Sequence, residues 1–177
     1  MFPHVQPIPV PEHYAATREE DIALALAMNT EKARSEFIIA PLLIEAWRSQ
    51  KAHVSLFSGW ELKVEPEHGL SGRCDFLFTA SAQRLLIEAP ILNIVEAKND
   101  NVQSGFAQCI AAMIAAKKFN EAKKRSIPAV FGCSTTGTEW RFLKLEGDTA
   151  FIDFDDYLIV EPAKILGILV HILQTVH

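Results

Sequence analysis

Paired cysteines, histidine ligand pairs and long apolar runs are all missing from this chain, and each absence removes a class of protein. Cys74, Cys109 and Cys133 are odd in number and widely spaced. They suit neither a disulfide framework nor a zinc site and imply a reducing, cytoplasmic compartment. The six histidines are scattered, with no two at helical ligand spacing, which argues against a zinc hydrolase. The opening Met-Phe-Pro-His-Val-Gln lacks the basic start and apolar run of a signal peptide. The apolar stretch Ile165 to Leu173 contains His171 and is too short to cross a bilayer, so the expectation is a soluble protein with no membrane partner. A basic surplus is lacking too: 17 Lys and Arg face 22 Asp and Glu, for a formal charge of -5. That balance disfavours a surface coated with cations, although phosphate attraction depends on where Lys and Arg cluster. Carboxylates that bind divalent cations would lower the net charge in the same way.

What is present is a globular composition. With 177 residues, 49% of them hydrophobic and 22% charged, the chain is expected to form one domain, 1–177, around a single core. Pro3, Pro7, Pro9 and Pro11 predict an extended surface segment over 1–15. Thr17-Arg18-Glu19-Glu20 fits a capping box, predicting a helix from there to about Met28. A second helix is expected from near Thr30 to about Trp47, kinked or divided at Pro41. Between His53 and Ala80 the pattern turns to β-prone runs, Val54 to Phe57, Trp60 to Glu65 and Cys74 to Thr79, punctuated by Gly59, Gly69 and Gly72. Leu85 to Ile87 reads as a short strand, and Ile91 to Val95 as a largely buried one. Asn99-Asp100-Asn101 signals a turn into a long helix, about Val102 to Lys124. Strands are expected over Pro128 to Cys133, Glu139 to Leu145 and Thr149 to Phe154, with a last helix after Pro162. The fold class is therefore α/β, a central sheet with helices around it.

Glu-x-Lys occurs three times, and context separates the copies. Glu121 and Lys123 sit two residues apart at a polar helix end, on different faces, and Glu61 and Lys63 lie on a half-polar strand. Glu96 and Lys98 instead end an apolar strand, where period 2 puts both on one face and desolvating them without partners is costly. Asp75, opening the run Phe76-Leu77-Phe78, supplies a partner if its strand lies beside that one. Two carboxylates and a backbone carbonyl suit a hard divalent cation, Mg²⁺ or Mn²⁺, that keeps several waters. Such a cation polarises a phosphoryl oxygen and acidifies water, and Lys98 can neutralise charge developing on phosphate.

Gly72-x-x-Asp75 followed after twenty-one residues by Glu96-x-Lys98 resembles the signature of the PD-(D/E)XK nuclease superfamily, most of all the N-terminal nuclease domain of type I restriction enzyme R subunits. The resemblance spans roughly Thr30 to Cys133 and implies a restriction-endonuclease-like central mixed sheet flanked by helices. It implies Asp75 and Glu96 as metal ligands and Lys98 as a catalytic residue. That branch also places a Glu in the preceding helix and a Gln in the following one, positions taken here by Glu36 and Gln108. Cys74 stands where the superfamily's name has Pro, and Ala112 where a Tyr is frequent.

Glu36 falls on a helical face with Ile39, Ala40, Leu43 and Trp47, and either an ion pair or a site role explains it. Lys117, Lys118, Lys123, Lys124 and Arg125 make a basic helix end, read as a solvated face that complements the helix dipole. The function expected is a Mg²⁺-dependent endonuclease acting on nucleic acid, DNA in the first instance. The alternative is a nuclease-fold module that binds nucleic acid or protein without turnover. Either is compatible with a homo-oligomer.

Overall fold

β-prone residues across the middle of the chain pair into one seven-stranded mixed sheet. A computed structural model of the chain describes residues 1–65 and 70–175, and side chains outside 62–72. β1 (Ser55–Glu65), β2 (Leu70–Thr79), β3 (Ile91–Ala97), β4 (Ala129–Thr135), β5 (Glu139–Glu146) and β6 (Thr149–Ile152) lie side by side in chain order. β7 (Tyr157–Leu158) adds to the other end of β5. All neighbours run antiparallel except β3 and β4, which are parallel. A parallel pair needs a crossover. The chain supplies it with a 3₁₀ turn (Val102–Gly105) and the helix α4 (Phe106–Ala122).

Helices cover both faces, which is why β3 is buried along its whole length. On one face α1 (Glu12–Met28), α3 (Ala40–Gln50) and α5 (Pro162–Leu173) pack Ala25, Leu42, Leu43, Ile165 and Leu169 in one core with Phe78, Trp140 and Phe142. On the other, α4 lays Cys109, Met113 and Ala116 on Leu77, Ile94, Val130 and Leu143. Asn120, near the end of α4, is buried and ties helix to sheet. Its amide accepts from Ile91 N at 2.7 Å and donates to Ile91 O at 2.9 Å. The expected α/β architecture, a central mixed sheet flanked by helices, is the one observed. Among the described residues no helix is long and apolar enough to cross a membrane.

The local differences have physical causes. α1 begins at Glu12, so the extended segment ends at Pro11 and not at residue 15. Proline is at home at a helix start, where its missing N–H is not needed, and the Thr17–Glu20 box lies inside the helix. The second helix is divided, as Pro41 demanded, but before the proline. α2 (Glu31–Arg34), capped by the Thr30 side chain, passes through a π-helical turn, Ser35–Ile39, into α3. The two runs expected on either side of Gly59 form the single strand β1, whose register with β2 runs unshifted past Gly59 at φ 66°. Leu85 to Ile87 forms no strand, and Leu85 and Leu86 are exposed. β7 is too short to have announced itself. Gly69 and the Lys63 side chain lie outside the described residues.

Candidate metal centre

β2 and β3 pair with Phe76 opposite Val95, which brings Asp75 and Glu96 to the same end of neighbouring strands. The Asp75 carboxylate accepts a hydrogen bond from Ala97 N at 2.8 Å, so its side chain is held against β3. Glu96 is fully buried. One of its oxygens accepts from Gln108 Nε2 at 2.6 Å, while the other, Oε1, is buried with no hydrogen-bond partner among the described residues. Burial, and next the neighbouring Asp75 carboxylate, push the Glu96 carboxyl up to about 8, against the opposing pull of Lys98. An orphaned oxygen on a buried acid beside a second carboxylate is electrostatically unfinished, and a cation between the two would complete it.

Lys98 continues the strand's pairing one residue beyond β3, donating its backbone N–H to Thr135 O at 2.8 Å. Its ammonium donates to Gln108 Oε1 at 3.0 Å, so the Gln108 amide bridges Lys98 and Glu96. Gly105 makes room for this arrangement. A Cβ there would lie 2.2 Å from Ser134 Oγ and 3.1 Å from Lys98 Cγ and Cε. The Asn101 side chain caps the turn before α4, accepting from Ser104 N at 2.9 Å, and so aims Gln108 at the strand ends. Asp75, Glu96, Lys98 and Gln108 thus come together.

Glu36 does not join them directly. It is exposed and ion-paired with Lys32. The helical face on which the sequence put it assumed 3.6 residues per turn through Pro41. The π turn inserts one residue, and rotates Glu36 by about 100° relative to Leu43 and Trp47. Glu36 lines an open cleft of about 530 Å³ together with Glu31, Lys32, Ser58, Gly59, Arg73 and Asp75. Glu31 is the acid that sequence reasoning missed. Its charge acts on Glu96, although an acid in the first turn of a helix reads simply as a complement to the dipole. Among the described residues no three His, Cys, Asp or Glu side chains form a cation cage, so a cation at this place would rest on two protein carboxylates.

No family model, curated protein or solved structure gave a significant match to the chain. Function is therefore read from the residues and their geometry.

Proposed function

We propose that the chain is a metal-dependent nuclease of the PD-(D/E)XK type that hydrolyses phosphodiester bonds, in DNA in the first instance. The observation that carries this reading is the buried Glu96 carboxylate with a free oxygen beside Asp75. The donor set fits Mg²⁺ or Mn²⁺: two carboxylates, no sulfur and no imidazole, leaving most of the coordination to water and substrate oxygen. Asp75 and Glu96 would hold the cation, which supplies Lewis-acid polarisation of the phosphoryl group and acidification of water.

The chain's own residues do the rest. The hydrogen bond from Ala97 N holds the Asp75 carboxylate against β3, beside Glu96. Gln108 holds Glu96 in one rotamer and Lys98 at the same mouth, so no reorganisation is needed as charge builds. The Lys98 ammonium neutralises charge developing on the phosphoryl oxygens. Glu36, on the cleft wall, is placed to order water and not to bind metal directly.

The test is cleavage of single-stranded and duplex DNA and of RNA with Mg²⁺ or Mn²⁺, beside a Lys98→Ala variant. The expected result is cleavage by the parent, and loss of about two to four orders of magnitude in the variant with substrate affinity retained. Binding without cleavage by the parent, under either metal, would replace this reading with that of a non-catalytic nucleic-acid-binding module.

A further inference from the structure

The polar cleft that leads to Asp75 also holds a cation, Arg73, that the metal chemistry does not use. Glu31, Lys32, Glu36, Arg73 and Asp75 line it. Three of these are acids, and Lys32 is spent on Glu36. Among the described residues no hydrogen bond or ion pair holds the Arg73 guanidinium, which leaves a planar, permanently charged five-donor group exposed in an acidic cleft.

Its position is built by the neighbouring strand. Ser58 pairs with Phe76 and Trp60 with Cys74, so Gly59 lies across from Asp75. A Cβ on Gly59 would sit 2.6 Å from Arg73 Nη2 and 3.2 Å from Nε, so the guanidinium occupies the space that any other residue would fill. The glycine's φ of 66° makes a side chain there doubly unwelcome. The two strands together seat the cation beside Asp75. Arg73 stands two residues from Asp75 along β2, an offset of about 7 Å at strand rise. That is the scale of a single nucleotide step.

We propose that Arg73 binds a phosphate of the nucleic-acid backbone next to the one that meets Asp75 and Glu96, with Gly59 as the slot that positions its guanidinium. This deepens the nuclease reading and rests on it. A guanidinium matches two phosphate oxygens with parallel hydrogen bonds, and in this cleft it offsets the repulsion that Glu31 and Glu36 exert on a polyanion. The contact is made to bound substrate and to the transition state alike, so it sets affinity and register and not the chemical rate.

The experiment measures anisotropy of labelled single-stranded and duplex DNA oligonucleotides with Mg²⁺ in a Lys98→Ala background, where binding is read without cleavage. Arg73→Ala is expected to weaken binding roughly ten- to a hundred-fold. It should reduce the slope of log affinity against log salt by about 0.9 on duplex. Arg73→Lys should recover part of the affinity. Gly59→Ala should mimic Arg73→Ala, and the double variant should bind no worse than Arg73→Ala alone, because both remove one contact. Cleavage by Arg73→Ala with Lys98 intact should keep its kcat while KM rises. Unchanged affinity and salt slope in Arg73→Ala, in a protein whose parent cuts DNA, overturn the assignment and leave the nuclease reading standing. Additive losses from Gly59→Ala and Arg73→Ala overturn the slot. A parent that binds neither oligonucleotide overturns both readings at once.

Discussion

Replacing Glu96 by glutamine should stabilise the metal-free protein, and the gain should grow with pH. Glu96 is fully buried, and its carboxyl rises from 4.5 to about 8 on folding, through burial first and the Asp75 carboxylate second. Between those values the folded protein keeps a proton that the unfolded chain has lost. Unfolding releases it, so stability falls as pH rises through this window and the loss is complete above the folded value. At about 1.4 kcal/mol per pH unit, the ionised carboxylate costs the folded state on the order of 5 kcal/mol above pH 8 and about 3 kcal/mol at pH 7. The amide of a Glu96→Gln variant carries no charge at any pH, can still accept from Gln108, and would present its own N–H groups to Asp75. Urea unfolding in EDTA should show the two proteins near parity at pH 5 and well separated at pH 9. Mg²⁺ should shrink the gap, because a cation favours the parent's ionised form. A stability difference that is the same at pH 5 and pH 9 would refute the argument that this carboxylate is buried and electrostatically unsatisfied.

Mg²⁺ or Mn²⁺ should raise the parent's thermal midpoint by mass action, and Asp75→Asn should lose most of that rise in a differential scanning fluorimetry titration. Gly105→Ala puts a methyl group into Ser134 and the Lys98 side chain, and should cost about 1–3 kcal/mol in urea unfolding as well as lower kcat. Asn120→Ala strands Ile91 N and O in the interior at about 2–4 kcal/mol, lowering the thermal midpoint by roughly 5–15 °C with no change in metal affinity.

Legibility of the site and of the fold followed different rules. Asp75, Glu96 and Lys98 stood out because charge at the end of an apolar run is costly, and that argument needs only the order of residues. The buried run Ile91 to Val95, the crossover helix and the Pro128–Leu145 strand pair were legible because composition and period report burial directly. What could not be read depended on geometry that arises only on folding. The π turn that rotates Glu36 out of line lies just before Pro41, and hydrophobic spacing alone does not say on which side of a proline an extra residue is taken up. Glu31 carried no signal of its own in the sequence, and it reaches the cleft beside Asp75 only because the fold places α2 there. Arg73 and Gly59 are fourteen residues apart in sequence and meet only through the β1–β2 register. Leu85 to Ile87 failed in the other direction: three apolar residues suggested a strand, but they form a loop that leaves Leu85 and Leu86 exposed.

The central claim is that Asp75 and Glu96 assemble a cation-dependent phosphodiesterase centre, and the most direct test is the rate of DNA oligonucleotide cleavage as Mg²⁺ or Mn²⁺ is titrated. For the parent, the rate should start from nothing in EDTA and rise to saturation. Asp75→Asn should stay at background at every metal concentration. Cleavage that persists in EDTA, or that Asp75→Asn performs as well as the parent, would contradict the account.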